Sequence, residues 1–237
     1  MLAKDRLLEV TAPDPDIFSE TACPLDRREG DRDDLRSRAH RDAIFSLARL
    51  SEVHDQDTGS HVLRIRAIVE QIALRMGFDA QRAAALGEDA ILHDVGKLRV
   101  PADVLKKPEA FTERERGLMQ QHTVRGERMI SGLDGMQQAA RIARCHHERW
   151  DGAGYPDGLA GESIPLEARI TAAADVLDAL IATRCYKESW SYADAMKEVL
   201  ALSGTHLDPK VVEAVKQCNA EGALCGIFGL PTQCARE

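Results

Sequence analysis

The sequence is poor in aromatic residues and has no long hydrophobic run, and these shortages exclude several classes of protein. Phe, Trp and Tyr together make up 4% of its 237 residues. No stretch of about 18 apolar residues occurs, so no transmembrane helix is expected. The opening residues, MLAKDRLLEV, carry charges early and lack the apolar core of a signal peptide. We therefore expect a cytoplasmic protein.

Closely spaced cysteine pairs and an excess of basic residues are also missing. None of the six cysteines forms a C-x-x-C pair, so ordinary reduced thiols are favoured over a structural zinc site or a disulfide. The formal net charge of −8 argues against binding to a DNA or RNA polymer, which normally needs a basic face. A small anionic substrate remains compatible with this charge, provided that cations surround the site.

Strand-like alternation is absent too, and helical periodicity predominates. Residues 1–37 are polar and interrupted by proline and glycine, which predicts a lead-in or linker. Over residues 38–220 the apolar positions predict one all-α domain, a bundle of about seven helices with a glycine-rich loop after Glu148. Residues 221–237 are rich in glycine and proline, and we expect them to form a tail on the surface.

Start signals accompany two of the expected helices. Thr112-x-x-Glu115 has the pattern of a capping box, and Asp208-Pro209 combines a capping acid with proline at the first helical position. Helices are expected near residues 44–50, 62–72, 80–93, from 112, 136–148, 166–182, 191–202 and 209–218.

Histidines and acids recur at the edges of the apolar segments. His93-Asp94 ends the apolar part of ILHDVGK, and the pair His146-His147 opens HHERWDGAGYPDG. Asp175 interrupts the apolar segment ITAAADVLDALI, where an ionised carboxylate is expensive unless it is paired or coordinated. Two more histidines, His122 and His61, stand alone, and Asp57 precedes His61 by one helical turn.

Together these residues favour a metal site, although each has an ordinary alternative. A single histidine is more often a surface or core residue, and Asp175 has the alternative of pairing with Arg169 or Arg184. Adjacent helical residues point about 100° apart, so His93 and Asp94 serve one metal ion only at a helix end, whereas two ions bridged by a carboxylate use the pair well. Imidazole and carboxylate ligands without thiolate favour iron, manganese or zinc.

In combination the motifs resemble the HD-GYP phosphodiesterases, a branch of the HD superfamily of metal-dependent phosphohydrolases. The resemblance rests on LHDVGK, HHERWDGAGYPDGLAGESIP and ARITAAADVLDAL, and it extends over roughly residues 40–215. It implies an all-helical domain that hydrolyses cyclic di-GMP at a metal centre, with Asp94 bridging two ions. The metal ligands that it implies are His61, His93, Asp94, His122, His146, His147 and Asp175.

The resemblance also assigns roles to residues around the metal ions. Lys97 falls where the family's lysine lies close to the metals and the scissile phosphate, so Lys97 and Asp94 are the expected catalytic residues. Arg184 and Lys187 correspond to positions that hold substrate phosphate, and Tyr155 belongs to the GYP loop beside the substrate.

Two departures from the family pattern affect these expectations. The family often has glutamate, associated with a third metal ion, where this chain has the shorter Asp57. We therefore expect two divalent ions, iron or manganese, with Asp57 as a further candidate ligand. Cys185 stands where proline is common, which is expected to change loop stiffness more than chemistry.

The expected reaction is hydrolysis of cyclic di-GMP to linear pGpG, with GMP as the alternative endpoint, by a hydroxide formed from a metal-bridging water whose pKa the two ions lower. Three alternatives stay open: an HD phosphohydrolase for another nucleotide or cyclic dinucleotide, a dinucleotide-binding effector with weak catalysis, and a protein-docking effector. A homodimer, or a signalling-protein partner that contacts the GYP loop, is a further expectation.

Overall fold

The apolar stripes of the sequence become the packed faces of a helical bundle. The computed structural model describes residues 43–51, 60–182 and 190–230, and within those ranges the chain contains α-helices and short 3₁₀ helices but no β-strand. The all-α prediction is confirmed. Helix α1 occupies 43–51, and the helices that follow are α2 (Ser60–Arg75), α3 (Ala80–Ala90), α4 (Ala102–Leu105), α5 (Glu113–Gln120), α6 (His122–Ile130), α7 (Gln137–Cys145), α8 (Leu166–Ile181), α9 (Tyr192–Ala201) and α10 (Pro209–Ala220).

Both predicted start signals are present. The Thr112 hydroxyl accepts a hydrogen bond from the Glu115 backbone N–H at 3.3 Å, and the Glu115 carboxylate accepts one from the Thr112 N–H at 2.8 Å. This reciprocal pair satisfies two amide groups that the helix leaves without partners. At α10 the Asp208 carboxylate accepts from the Lys210 N–H at 2.8 Å, ahead of the first helical residue, Pro209.

The main hydrophobic core lies between α2, α3, α8, α9 and α10. Ile65, Ile68 and Ile72 of α2 are fully buried in it, together with Ile170 and Leu177 of α8. Burying side chains of this size contributes about 1.5–3 kcal/mol each to the stability of the fold. The α2–α8 contact therefore holds in place the polar residues that the two helices also carry.

The prediction of a surface tail over 221–237 is wrong for the part that the structure describes, residues 221–230. Leu224 and Cys225 are fully buried in the main core, and a 3₁₀ helix follows at Cys225–Phe228. Gly222 has a φ of +72°, a conformation that favours glycine, and it reverses the chain after α10 so that the Ala223 N–H donates to the Cys218 carbonyl at 3.0 Å. The turn brings apolar residues back onto the bundle instead of releasing them to solvent.

Several predictions fall outside the described residues: those for the lead-in 1–37, Asp57, Arg184, Cys185 and Lys187. The domain boundaries at 38 and 220 stay predictions. Among the described cysteines, Cys145, Cys218 and Cys225 are buried thiols without a disulfide. No helix in the described ranges combines the length and apolar character needed to cross a bilayer.

Candidate metal centre

Two neighbouring groups of histidine and aspartate side chains meet in the bundle. Within each group the potential ligand atoms all lie within 4.8 Å of one another. The first, called the Asp94 group, consists of Asp94, His122, His146 and His147. The second, called the Asp175 group, consists of His61, His93 and Asp175. All the metal ligands that the family resemblance implied therefore converge in space.

The adjacent residues His93 and Asp94 can both face the site because they lie past a helix end. Helix α3 ends at Ala90, three residues before the predicted end, and the His93 N–H donates to the Ala90 carbonyl at 3.1 Å in a turn. A 3₁₀ helix, Val95–Arg99, follows Asp94 directly. His146 likewise caps α7, which ends at Cys145 instead of near 148.

Close backbone packing places His122 opposite Asp94. A Cβ atom on Gly96 would lie 1.9 Å from the His122 carbonyl oxygen and 2.5 Å from the Gly126 nitrogen. No side chain fits in that space, so glycine lets the 3₁₀ helix after Asp94 rest directly on α6. His122, the first residue of α6, is thereby held beside the carboxylate.

The two oxygens of Asp94 face different neighbours. Its Oδ1 atom lies 3.3 Å from His122 Nε2 and 3.7 Å from His146 Nε2. Its Oδ2 atom lies 3.3 Å from His93 Nε2 and 2.8 Å from Lys97 Nζ. Burial alone would raise the pKa of Asp94, but the positive charge of Lys97 holds that pKa well below its ordinary value. Asp94 is therefore an ionised carboxylate that touches both groups.

Backbone carbonyls orient three of the imidazoles. The Nδ1 atoms of His93, His122 and His146 lie 2.9, 2.7 and 3.1 Å from the carbonyl oxygens of residues 90, 119 and 142. These contacts assign the ring proton to Nδ1, because a carbonyl oxygen only accepts. The Nε2 atoms then carry the lone pairs, and they face the carboxylate oxygens of the site.

The histidines of the Asp94 group are held neutral. Burial and the neighbouring His93 lower the pKa of His146 from 6.5 to about 3. Burial is also the largest cause that lowers the pKa values of His122 and His147. Neutral imidazole is the form that binds a metal ion, so the low pKa values favour coordination over protonation near pH 7.

The Asp175 group lies where α2 and α8 run side by side. His61 Nε2 is 4.0 Å from Asp175 Oδ1, and the rings of His61 and His93 are 5.5 Å apart. Behind His61, Asp178 Oδ2 is 2.7 Å from Nδ1, and Arg64 forms an ion pair with the same carboxylate. Asp178 was not among the predicted site residues, although it lies in the same apolar segment as Asp175 and is the more deeply buried acid of the two.

The alternative of an ion pair between Asp175 and Arg169 is wrong. Arg169 Nη1 instead lies 2.5 Å from Asp208 Oδ2, and its guanidinium covers the Trp150 ring at 5.8 Å from the centroid. Trp150 thus packs against the bundle, while its backbone N–H donates to the His206 carbonyl at 3.0 Å.

Glu148, which was also not among the predicted site residues, links the glycine-rich loop to the His146-His147 pair. Its buried carboxylate accepts from the backbone N–H groups of Asp157 at 2.7 Å and Leu159 at 3.1 Å. A Cβ on Gly154 would lie 2.4 Å from the Arg149 nitrogen, so only glycine permits the loop to fold this tightly. The sequence feature that could have identified Glu148 as a site residue is its position directly after His147.

The folded loop lays Tyr155 on the Asp94 group. Its ring stacks on that of His147, with 4.8 Å between centroids and 28° between planes, and it meets the His122 ring edge-on at 6.4 Å. The Tyr155 N–H donates to the His147 carbonyl at 3.2 Å. Tyr155 therefore lines the rim of the site.

The residues present fit a centre for divalent metal ions. The donors are imidazole nitrogens and carboxylate oxygens, and neither group includes a cysteine. Asp94 Oδ1 is buried without a hydrogen-bond partner in the described part of the chain. Leaving a charged oxygen in that state is costly, and coordination would satisfy it.

Comparison with known proteins places the chain among HD-domain proteins. The family model described as "HD domain" matches residues 45–211. The cyclic di-GMP phosphodiesterase response regulator RpfG of Xanthomonas campestris pv. campestris is 40% identical over 191 residues, covering 79% of this chain and 50% of that protein. The 3′3′-cGAMP-specific phosphodiesterase 2 of Vibrio cholerae serotype O1 is 39% identical over 182 residues, covering 76% of this chain and 35% of that protein. The chain thus spans half or less of the length of these two relatives.

A solved structure supports the fold assignment. The HDG"Y"P protein from Bdellovibrio bacteriovorus aligns with a TM-score of 0.54 and 18% sequence identity, covering 74% of this chain and 60% of that one. At this identity the likeness concerns the fold alone.

Proposed function

The chain belongs to the HD-domain family, in its HD-GYP branch, and we propose from this premise that it is a metal-dependent phosphodiesterase that hydrolyses cyclic di-GMP to linear pGpG and on to GMP. The observation that carries the proposal is the convergence of the Asp94 and Asp175 groups around one carboxylate. A protein that only docks onto others has no need for so many buried imidazole and carboxylate groups in one place.

We assign two divalent ions, iron or manganese, to the two groups, with Asp94 shared between them. His122, His146 and His147 would hold one ion, and His61, His93 and Asp175 the other. Divalent ions in such a centre lower the pKa of water and offset charge on a phosphoryl group. Asp57 stays a candidate ligand for a third ion.

The surrounding side chains serve binding and orientation. Lys97, with Nζ 2.8 Å from Asp94 Oδ2, places a positive charge where phosphoryl oxygens gain negative charge during cleavage. Tyr155 offers an aromatic face beside His147, against which a guanine base or ribose can pack. Arg184 and Lys187 stay predicted phosphate contacts, and they would add positive charge to an acidic protein.

A second candidate substrate is 3′3′-cGAMP. The relative of that specificity matches this chain about as well as the cyclic di-GMP relative does, at 39% against 40% identity. The two dinucleotides share the phosphodiester ring and differ in one base, so contacts beyond the metal groups decide between them.

The decisive experiment combines metal analysis with product analysis. Protein purified without oxygen is analysed for iron, manganese and zinc per chain, and is then given cyclic di-GMP or 3′3′-cGAMP at equal concentration, with pGpG and GMP resolved. We expect about two ions per chain and faster turnover of cyclic di-GMP. Tight binding of cyclic di-GMP without cleavage, in iron- or manganese-loaded protein, would instead support the effector alternative.

The wider assignments are part of the same proposal. We assign catalysis to residues 38–220, a cytoplasmic location to the protein, and contact with a second copy or a signalling protein to the GYP loop.

A further inference from the structure

His61 is oriented by a different kind of acceptor from His93, His122 and His146. In His93, His122 and His146 the Nδ1 atom faces a backbone carbonyl at 2.7 to 3.1 Å. In His61 the Nδ1 atom faces the carboxylate of Asp178, at 2.7 Å. A carboxylate is a stronger acceptor than a carbonyl and raises the basicity of the imidazole that donates to it.

Asp178 is built into the fold as a fixed acceptor. Its side chain is fully buried, and Arg64 grips it with Nε on Oδ1 and with Nη2 3.0 Å from Oδ2. Arg64 in turn donates from Nη1 to the Ser60 hydroxyl at 2.7 Å, one turn earlier on α2. This forked ion pair links α2 to α8 and leaves the carboxylate little freedom to turn.

Spacing on α8 puts two carboxylates on opposite sides of one imidazole. Asp175 and Asp178 are three residues apart and share a helix face. Asp178 accepts the Nδ1 proton of His61, so the lone pair of Nε2 points to Asp175 Oδ1, 4.0 Å away. The ring cannot rotate without breaking a buried, charge-assisted hydrogen bond.

We propose that Asp178, held by Arg64, is a positioning residue that supports the metal ion of the Asp175 group and not the ion of the Asp94 group. The inference rests on the proposed two-metal function. Replacing such an outer carboxylate typically weakens metal binding about 10- to 100-fold. The effect should fall on one ion. Among the described residues, His61 of the Asp175 group is the candidate metal ligand that contacts Asp178.

The test is metal stoichiometry in the full chain carrying Asp178→Asn. Wild-type protein and the variant are loaded with Mn²⁺ without oxygen and titrated with a chelator, and the remaining ions per chain are counted. We expect the wild type to hold two ions, and the variant to hold one tightly while the other binds about 10- to 100-fold more weakly. The electron paramagnetic resonance spectrum should change from that of a coupled pair to that of isolated Mn²⁺.

Asp208→Asn is the matched control. Asp208 is also buried and ion-paired with an arginine, Arg169, but it does not belong to either metal group, and asparagine caps a helix as well as aspartate does. This variant should keep both ions at wild-type affinity. A general loss of packing would lower metal affinity in both variants, whereas a positioning role of Asp178 would lower it in Asp178→Asn alone.

Two results would overturn the inference while leaving the proposed function intact: Asp178→Asn retains both ions at wild-type affinity, or it loses both in parallel. A wild-type chain that binds no divalent ion would overturn both. If Asp178→Asn does not fold, the pair Arg64→Gln with Asp178→Asn removes both charges together, which avoids an unpaired buried guanidinium. The same selective loss of one ion is expected there, and retention of both ions would contradict the inference.

Discussion

The Asp94 group and the Asp175 group hold similar side chains by different structural means. The Asp94 group is assembled from helix ends and turns, where backbone carbonyls aim the rings and Gly96 lets two elements touch. The Asp175 group takes Asp175 from the middle of α8 and His61 from the start of α2, next to the main core, and His93 from the turn after α3; the buried Asp178–Arg64 ion pair orients His61. The Asp94 group therefore depends on local chain geometry, whereas the Asp175 group depends in addition on how two long helices pack.

Replacing Asp94 with alanine should produce the largest effect, because its carboxylate touches both groups. We expect loss of metal from both and a fall in cyclic di-GMP hydrolysis well beyond the 100-fold or so that an outer residue typically causes. Metal analysis and product analysis on one preparation measure this. The exposed Asp134 supplies a control, since Asp134→Ala should change neither quantity. Continued hydrolysis by a metal-free Asp94→Ala protein would exclude the mechanism.

Gly96→Ala should damage the Asp94 group selectively. The added methyl group would meet the His122 carbonyl at 1.9 Å, so α6 must move away. We expect the free energy of unfolding in urea to fall by about 1–3 kcal/mol, with the ion of the Asp94 group weakened more than the other.

The control for Gly96 is Gly117, which lies within α5 and where an added methyl group would have no heavy atom within 4 Å beyond its own helix turn. Gly117→Ala should raise the free energy of unfolding by up to about 1 kcal/mol, because alanine favours the helix. Equal effects of the two substitutions would show that the contact at Gly96 is unimportant.

Acid should destabilise the metal-free protein first through the Asp94 group. His146 has a pKa of about 3 in the folded protein and an ordinary pKa of 6.5 in the unfolded chain. Between these pH values the imidazole is protonated in the unfolded chain and neutral in the folded protein. Its contribution to stability is complete above about pH 6.5 and is lost as the pH falls toward 3. Behind His61 of the Asp175 group, burial opposes ionisation of Asp178, but the contacts from His61 and Arg64 lower its pKa, so its contribution to stability is lost only below pH 3.8.

Urea unfolding of metal-free wild type and His146→Gln between pH 5 and 7.5 measures this difference. Over the acid part of that range the wild type should lose stability more steeply than the variant, by up to about 1.4 kcal/mol per pH unit. Parallel curves would mean that His146 is not held neutral by burial.

Glu148→Gln should give the smallest effect, confined to the loop on the Asp94 group. The amide keeps one acceptor oxygen for the N–H groups of Asp157 and Leu159, so a loss of about 1 kcal/mol is expected. We expect unchanged metal content and kcat/KM for cyclic di-GMP reduced about fivefold, because Tyr155 is held less firmly. Glu162, whose carboxylate pairs with Lys210 at the surface, is the matched control, and Glu162→Gln should be neutral. Loss of metal in Glu148→Gln would assign Glu148 to the centre itself.

Much of the Asp94 group could be predicted from sequence because its members lie in short, compact motifs. The pair His93-Asp94 was expected to serve one metal ion only at a helix end, and both this pair and His146-His147 lie at one. The helix ends themselves were placed up to three residues late, since apolar residues such as Leu92 continue past the last α-helical hydrogen bond. Similarly, the composition of 221–237 suggested a surface tail, because it does not reveal the turn at Gly222 that buries Leu224.

By itself the sequence determined the helical class, the family and the identity of the candidate ligands, because helical periodicity and short polar motifs are properties of neighbouring residues. Only the tertiary structure decided that Asp178 stands behind His61, 117 positions away, and that Glu148 holds the loop carrying Tyr155. These contacts between residues distant in sequence depend on how α2 packs on α8 and on how the loop folds back. A local pattern marks a buried acid as costly, but the packing selects the group that satisfies it.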